Sequence, residues 1–188
     1  MKIEIIDLKK RFLDEKKDLL ICINKVLKKG NLVLTSEVEN FEKKICKYTG
    51  LKYCLGLNSG TDALMMSLWS NGITKGDEVI TSPISFIASS NSIIHVGAKP
   101  VFVDVGEDLN INPDLIEKAI TKKTKAIIIP NLLGNVPNWK KIFKIAKKNK
   151  LKIIEDSADT IGYKLSNSKF GKCSDITTNS MYASHIIT

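Results

Sequence analysis

The 188-residue sequence predicts an α/β fold with a mainly parallel sheet and helices on both of its faces. Apolar runs rich in Val and Ile, such as "KPVFVDV" and "TKAIIIPN", recur without polar alternation, and a helical segment separates each run from the next. Such runs are typical of strands buried on both faces, and alternating strands and helices are typical of parallel sheets. Because ligands bind beyond the carboxyl ends of such strands, the residues that follow each run form the candidate site.

Two helices precede the predicted sheet. Apolar residues recur at helical spacing over about residues 9–29, and the pattern ends at Gly30. A second helix, "SEVENFEKKICKYTG", is predicted to begin at a Ser36 cap, with Glu39 three residues later, and to end before Gly50. We therefore predict an N-terminal helical arm over residues 1–35 and one large α/β domain over residues 36–188.

Strands and helices alternate from residue 52 onward. The predicted strands are, in chain order, "KYCLGLN", "DEVITSP", "KPVFVDV", "TKAIIIPN", "LKIIEDSAD" and "SDITTNSMYAS". The predicted helices are "SGTDALMMSLWSNG", "SFIASSNSIIHVG", "NPDLIEKAIT" and "VPNWKKIFKIAKKN". In the third of these helices, Asn112 is the predicted cap and Pro113 the first helical residue, which is a common helix start.

Composition excludes several classes of protein. No apolar run approaches the roughly 18 residues that a membrane-spanning helix needs. The opening "MKIEIIDLKKRF" mixes charges into its apolar positions, unlike a signal peptide, so we expect a cytoplasmic protein. The four cysteines form no C-x-x-C pair and have no histidines at metal-ligand spacing, which predicts free thiols and no metal site.

The formal net charge of +9 raises the possibility of a nucleic-acid partner. However, Arg11 is the only arginine, and the lysines are spread over nearly every predicted helix. Recognition of phosphates and grooves uses arginine forks and clustered basic patches. Dispersed lysines indicate solvated helix faces instead, so we expect no nucleic-acid partner.

Two of the predicted strand ends carry an anion-binding turn and an aromatic side chain. Ser59, Gly60 and Thr61 open a helix, where unpaired backbone N–H groups and the helix dipole attract an anion; a simple capped turn is the alternative. Phe86 is predicted at the head of the next helix, where its ring could stack on a planar ligand; a place in the core is the alternative.

Carboxylates and the C-terminal residues supply the other candidates. Asp156, with Asp159 shortly after it, follows the apolar run "KIIE", and a carboxylate at a buried strand end needs a partner such as a cationic ligand nitrogen; a helix cap is the alternative. Ser180 and His185 lie in the final stretch "SMYASHIIT". A phosphate cradle, a stacking aromatic, a carboxylate for a ring nitrogen and a residue at the reactive carbon together describe a pyridoxal-phosphate pocket.

Three segments carry a resemblance to a known family. They are "GNLVLTSEVENFEKKICKYTGLKYCLGLNSGTDAL", "GDEVITSPISFIASSNSIIHVGAKPVFVDV" and "IIEDSADTIGYKLSNSKFGKCSD". In this order they resemble the DegT/DnrJ/EryC1/StrS family of fold type I, pyridoxal-phosphate-dependent enzymes of nucleotide-sugar metabolism. The resemblance implies that residues 36–188 form the cofactor-binding large domain and that the family's smaller C-terminal domain is absent from this chain.

The resemblance also assigns roles to the candidates. It implies that Gly60 and Thr61 bind the cofactor phosphate, with Ser59 opening the cradle, and that Phe86 stacks on the ring. Asp156 pairs with the pyridine nitrogen in this assignment, and Asp159 is expected to bind the cofactor as well. Ser180 reaches the phosphate.

His185 departs from the pattern of the family's aminotransferases. Those enzymes have a lysine at this position, which binds the cofactor covalently, and "SMYASHIIT" contains no lysine. Histidine cannot replace that bond but can act as a base near neutral pH. A minority branch, the C-3 dehydratases of 4-keto-6-deoxy nucleotide sugars, has the same replacement. Asp159, which is Gln or His in most of the aminotransferases, and "PNLLGNVPN" are also similar to that branch.

The predicted function is therefore dehydration at C3 of a nucleotide-linked 4-keto-6-deoxyhexose. The expected cofactor is pyridoxamine 5'-phosphate or pyridoxal 5'-phosphate, His185 is the expected base, and the pathway is the synthesis of deoxysugars for surface polysaccharides such as O-antigen. The resemblance also implies a homodimer with shared active sites. The alternatives are a nucleotide-sugar aminotransferase and a non-catalytic cofactor-binding fragment.

Overall fold

The computed structural model describes residues 7–30, 32–165 and 168–182. Six α-helices lie in this part of the chain: α1 (Leu8–Lys29), α2 (Ser36–Thr49), α3 (Gly60–Ser70), α4 (Ala88–His95), α5 (Pro113–Ala119) and α6 (Trp139–Asn149). The strands described there are β1 (Glu78–Thr81), β2 (Lys99–Phe102), β3 (Thr124–Pro130), β4 (Lys152–Asp156), β5 (Lys164–Leu165), β6 (Ser168–Lys169) and β7 (Ile176–Thr178). A short 3-10 helix, Leu132–Gly134, follows β3. None of the helices in these residues is long and apolar enough to cross a membrane.

Five of these strands form one sheet in the order β2-β1-β3-β4-β7, and every neighbouring pair is parallel. The prediction of an α/β fold with a parallel sheet is confirmed. Strand β3 lies in the centre of the sheet, with β1 and β4 on either side of it. Because all the strands are parallel, the residues that follow β1, β3, β4 and β7 lie along one edge of the sheet. The remaining two strands form a short antiparallel hairpin, which the sequence did not predict.

The sheet has one apolar core on each face. Along β3, Ile127 and Ile129 pack with Trp139 and Ile142 of α6, whereas Ile128 packs with residues of α3 and α4 such as Leu68. Successive side chains of a strand point to opposite faces, so an uninterrupted isoleucine run supplies both cores. The same alternation sends adjacent residues at the end of a strand into different surroundings.

The chain divides into two compact units. One unit is Met1–Lys47 with Lys52–Gly56, and the other is Tyr48–Leu51 with Leu57–Thr188. In the first unit no residue of α1 or α2 is buried, although both helices carry apolar residues at helical spacing. Helix α1 begins at an Asp7 cap, whose carboxylate accepts a hydrogen bond from the backbone of Lys10, and ends at Gly30 with a positive φ of 67°. The predicted domain boundary after residue 35 stays a prediction.

Two local predictions were wrong. The segment "KYCLGLN" forms no strand, because Tyr53 and Leu55 are exposed and the Gly56 N–H donates to a carboxylate oxygen of Glu42 at 2.7 Å, not to a neighbouring strand. Helix α2 is capped one residue earlier than predicted. The backbone oxygen of Thr35 accepts from the amides of Val38 and Glu39.

Candidate functional site

The amino end of α3 lies after the segment "KYCLGLN" and presents two backbone donors. The Ser59 hydroxyl caps the helix by accepting from the backbone N–H of Asp62 at 3.1 Å and donating to the Asp62 carboxylate at 3.0 Å. The N–H groups of Gly60 and Thr61 donate to no acceptor among the described residues. Unpaired donors at the amino end of a helix of this length form an anion site.

Ser180 lies directly beside this helix end. A Cβ added to Gly60 would lie 3.0 Å from the Ser180 Cβ and 3.4 Å from its hydroxyl oxygen. Only glycine permits this approach without displacing the neighbouring chain. The residues after β7 and the amino end of α3 are thus brought together, and the roles that the family resemblance gives to Gly60 and Ser180 stay predictions.

Asp156 is the last residue of β4 and is partly buried. One oxygen of its carboxylate accepts from the Ser89 hydroxyl at 2.8 Å, and the other accepts from the Ala158 N–H at 3.3 Å. The Ser89 hydroxyl is also 2.8 Å from that of Ser85. Asp156 is therefore fixed toward the α4 face of the sheet by residues outside its own strand.

Phe86 lies in the loop between β1 and α4, since α4 begins only at Ala88. The side chain is 75% exposed, which excludes the core as its place within the described structure. It lines a cleft of about 290 Å³ together with Ser85 and Ser89. Ser89, which lines this cleft, donates to the carboxylate of Asp156.

The two remaining candidates stay predictions. Asp159 lies in the turn after β4 and is partly buried. Its predicted contact with the cofactor depends on a group that the structure does not contain. His185 and the rest of 183–188 lie outside the described residues.

No group of three or more His, Cys, Asp or Glu side chains within the described ranges is arranged to hold a metal ion. The four cysteines are free thiols. Burial raises the pKa of the Cys54 thiol, and the nearby Cys46 and Glu42 act in the same direction. A protonated thiol is a poor metal ligand, so this cysteine gives no support for a metal site.

Sequence reasoning missed two contributors to the site. Ser89, which donates to Asp156, lies in the serine-rich segment "SFIASSNS" around the start of α4 and is buried. The repeated serines of this segment were the sequence signal for a polar contact there. Glu155 is the last residue of the run "KIIE" and was not among the predicted site residues. It proves to be fully buried, with hydrogen bonds from several segments. Its partners are distant in sequence, so no local pattern identifies them.

Comparison with known proteins finds relatives that are named as nucleotide-sugar aminotransferases. The chain is 36% identical over 183 residues to UDP-2-acetamido-2-deoxy-3-oxo-D-glucuronate aminotransferase of Pseudomonas aeruginosa, covering 97% of this chain and 51% of that protein. It is 35% identical over 174 residues to dTDP-3-amino-3,4,6-trideoxy-alpha-D-glucose transaminase of Micromonospora megalomicea, covering 92% of this chain and 46% of that protein. The chain therefore spans about half the length of these relatives.

The structural comparison agrees with the sequence comparison. The crystal structure of ntda from Bacillus subtilis with bound cofactor pmp superposes with a TM-score of 0.83 at 38% identity, covering 87% of this chain and 37% of that chain. The expectation of the fold type I architecture is confirmed, and so, for the family, is the expectation of a pyridoxal-type cofactor. Residues 14–188 match the DegT/DnrJ/EryC1/StrS aminotransferase family, and the chain belongs to it.

Proposed function

We propose that the protein uses pyridoxal 5'-phosphate or pyridoxamine 5'-phosphate to transfer an amino group to a nucleotide-linked keto sugar. The observation that carries this proposal is the match to two enzymes named as nucleotide-sugar transaminases over 92% and 97% of this chain. These relatives favour amination over the C-3 dehydration that the sequence predicted. Amination therefore stands first.

The described residues fit a phosphorylated pyridine cofactor. The free N–H donors of Gly60 and Thr61, with Ser180 in contact with Gly60, suit a phosphate group. The Asp156 carboxylate at the end of β4 suits a protonated ring nitrogen, and the exposed ring of Phe86 beside the cleft suits a planar ligand. When bound, the cofactor would supply a sink for the electrons of the reacting sugar carbon.

The chain's own residues would hold and polarise that group. Asp156 would keep the proton on the ring nitrogen, and Ser89 keeps the Asp156 carboxylate in place by donating to it. The helix dipole of α3 would balance the phosphate charge, since a helix N-terminus carries about half a positive elementary charge. Asp159, close behind Asp156 in the same turn, is proposed to face the cofactor as well.

A second candidate function is C-3 dehydration of a 4-keto-6-deoxy nucleotide sugar. One specific observation favours it, which is His185 in place of the lysine expected there by family resemblance. A neutral imidazole can accept a proton from the reacting carbon but cannot hold the cofactor covalently. The cofactor would then be bound by the cradle and Asp156 alone.

One experiment separates the two functions. The purified protein is incubated with pyridoxamine 5'-phosphate and a GDP- or CDP-linked 4-keto-6-deoxyhexose, with and without glutamate, and the sugar is analysed by mass spectrometry. Amination predicts an amino sugar whose continued formation requires glutamate. Dehydration followed by release of the sugar predicts, without glutamate, a 3-deoxy keto sugar that is one oxygen atom lighter, while pyridoxamine 5'-phosphate is converted to pyridoxal 5'-phosphate and ammonia. A sugar that stays unchanged under both conditions contradicts both functions and favours a non-catalytic binding fragment.

The H185K variant makes the distinction sharper. If the native protein is a dehydratase, this variant is expected to lose dehydration and to retain the cofactor covalently after borohydride treatment. A native protein that borohydride already links to its cofactor contradicts the dehydratase function.

A cytoplasmic homodimer with shared active sites is part of the proposal, and sedimentation velocity tests the dimer.

A further inference from the structure

Glu155 is a buried carboxylate that the proposed chemistry does not use. It is 1% exposed, and no ion pair among the described residues involves it. One carboxylate oxygen, Oε1, accepts from the Asn131 side-chain amide at 2.9 Å and from the Ser157 hydroxyl at 3.0 Å. A buried carboxylate without a cation is costly unless hydrogen bonds replace its hydration, and these donors replace it.

The second oxygen, Oε2, binds the segment that leads into β7. It accepts from the Gly171 N–H at 3.1 Å, the Ser174 hydroxyl at 3.1 Å and the Thr177 hydroxyl at 3.2 Å. Gly171 and Ser174 precede β7, and Thr177 lies within it, paired in register with Glu155 itself. A single carboxylate thus connects the ends of β3 and β4 to the strand at the edge of the sheet.

Strand β7 needs such a connection. It has three residues and, within the described part of the chain, pairs with β4 alone, so its backbone ladder is short. The chain continues directly from β7 into Asn179 and Ser180, and the Asn179 side-chain amide donates to the backbone oxygen of Ser157. Ser180 then contacts Gly60 at the amino end of α3.

We propose that Glu155 is a positioning residue for the phosphate site. Its carboxylate holds β7 in register on β4 and thereby holds Ser180 beside the free N–H groups of Gly60 and Thr61. Hydrogen bonds to an ionised acceptor are stronger than those between neutral groups, which explains why a carboxylate and not an amide suits this place. The inference rests on the proposed function, because it takes the anion at α3 to be the cofactor phosphate.

The E155Q variant is expected to fold. Its side-chain oxygen can keep the donors of the β7 segment, and its amide can donate to the Asn131 side-chain oxygen after that amide turns over. This oxygen is buried and accepts no hydrogen bond within the described residues. The variant removes the charge while keeping the shape, so β7 is held by weaker hydrogen bonds and Ser180 is less well fixed.

The test compares ligands with and without phosphate. Affinities of the purified protein for pyridoxamine 5'-phosphate and for pyridoxamine are measured by fluorescence titration. For E155Q we expect roughly tenfold weaker binding of pyridoxamine 5'-phosphate and a change below about twofold for pyridoxamine. A general loss of structure would weaken both ligands alike, so the ratio of the two affinities reports positioning.

A second variant keeps the test valid if E155Q fails to fold. T177V removes one donor on β7 without changing the charge and is expected to lower the same ratio by roughly two- to fivefold. The matched control is T124V, which changes a buried threonine at the opposite end of the sheet and should leave the ratio unchanged. In S180A, the additional effect of E155Q on the ratio should largely disappear, since Glu155 acts through Ser180.

The outcomes distinguish the inference from the function on which it rests. A wild-type protein that prefers the phosphorylated ligand, with an unchanged preference in folded E155Q or in T177V, contradicts the positioning role alone. A wild-type protein that binds neither ligand contradicts the proposed function and the positioning role with it. Additive effects of E155Q and S180A would likewise overturn the role, because they would show that the two residues act separately.

Discussion

Glu155 and Asp156 are adjacent carboxylates at the end of β4, but they lie on opposite faces of the sheet and have different surroundings. Glu155 points to the face that carries α5 and α6, where it is fully buried and takes every hydrogen bond from the protein. Asp156 points to the face that carries α3 and α4. Ser89 donates a hydrogen bond to it there and also lines the cleft beside Phe86. One carboxylate organises the chain and the other is available for a ligand.

This difference shows how one strand end can serve structure and chemistry together. The alternation of a strand separates neighbouring side chains by the thickness of the sheet, so each can be surrounded independently. The α5 and α6 face should therefore govern stability and should affect the cofactor only through the position of Ser180, whereas the α3 and α4 face should contact the cofactor directly. Variants on the two faces test that division.

The largest expected effect is on the α5 and α6 face. Trp139 is 1% exposed in the core that also contains Ile127 and Ile129. W139A is expected to lower the free energy of unfolding by about 3–5 kcal/mol, because it leaves a cavity that the core cannot fill. Denaturant unfolding measures this change. Phe143 on the same helix is 42% exposed, so F143A is the control and should cost much less.

The W139A variant also tests the division between the faces. Cofactor affinity per folded molecule should stay near the wild-type value, since Trp139 belongs to the opposite core from α3 and α4. A large loss of affinity in molecules that are still folded would show that the two faces are coupled more strongly than their separate cores suggest.

The next effect is expected from D156N. This variant keeps the size of the side chain but removes the charge that would pair with the ring nitrogen. The expected loss of binding free energy is about 1.5–3 kcal/mol, which is roughly a 10- to 150-fold loss of affinity. Fluorescence titration with pyridoxamine 5'-phosphate measures it. The control is E78Q, a strand carboxylate at the amino end of the sheet, which should leave the affinity unchanged. Equal affinities for wild type and D156N would show that Asp156 does not contact the cofactor.

Much of this division could be predicted from the sequence. The isoleucine run of β3 and the caps at Asn112 and Ser59 are local patterns, and the structure confirms the elements they predict. The failure at "KYCLGLN" has a physical reason, because an apolar run indicates a strand only where a neighbouring strand is available to pair with it. That availability is a property of the tertiary structure.

The site was predictable to the extent that it is built from contiguous residues. Ser59, Gly60 and Asp156 sit at strand or helix ends that the sequence marks clearly. The contact between Gly60 and Ser180 and the partners of Glu155 were not predictable from local patterns, since they join residues far apart in the chain. Such pairings depend on the order of strands in the sheet.

A smaller effect is expected from S89A. This variant removes the hydroxyl that donates to Asp156, and a single hydrogen bond contributes about 0.5–1.5 kcal/mol, or roughly two- to twelvefold in affinity. The measurement is again the titration with pyridoxamine 5'-phosphate. S70A is the control. The Ser70 hydroxyl donates to the backbone oxygen of Ser67 within α3, at the end of the helix that is far from Gly60. If S89A binds as tightly as wild type, Asp156 is held by other groups.

The smallest effect concerns Glu37, an exposed carboxylate that gives the comparison a third case. The Lys29 ammonium beside Glu37 lowers the pKa of that carboxyl from 4.5 to about 2, and backbone, Ser36 and Thr35 hydrogen bonds act in the same direction. A carboxyl with a lowered pKa in the folded state stabilises that state above its ordinary pKa and loses this contribution as the pH falls from 4.5 toward 2. NMR titration of the Glu37 carboxyl should show this low midpoint, and K29M should raise it.

K28M is the matched control for that titration, because it removes an equal charge one residue away on the same helix turn. The midpoint of Glu37 should stay low in K28M and should rise with added salt in the wild type, since solvent and salt screen exposed pairs. An equal rise in K28M and K29M would mean that the general positive field of the lysine-rich helix lowers this pKa, not the specific pair. If K29M alone raises the midpoint, a single partner determines the pKa of Glu37, whereas Asp156 and Glu155 are each held by more than one hydrogen-bond donor.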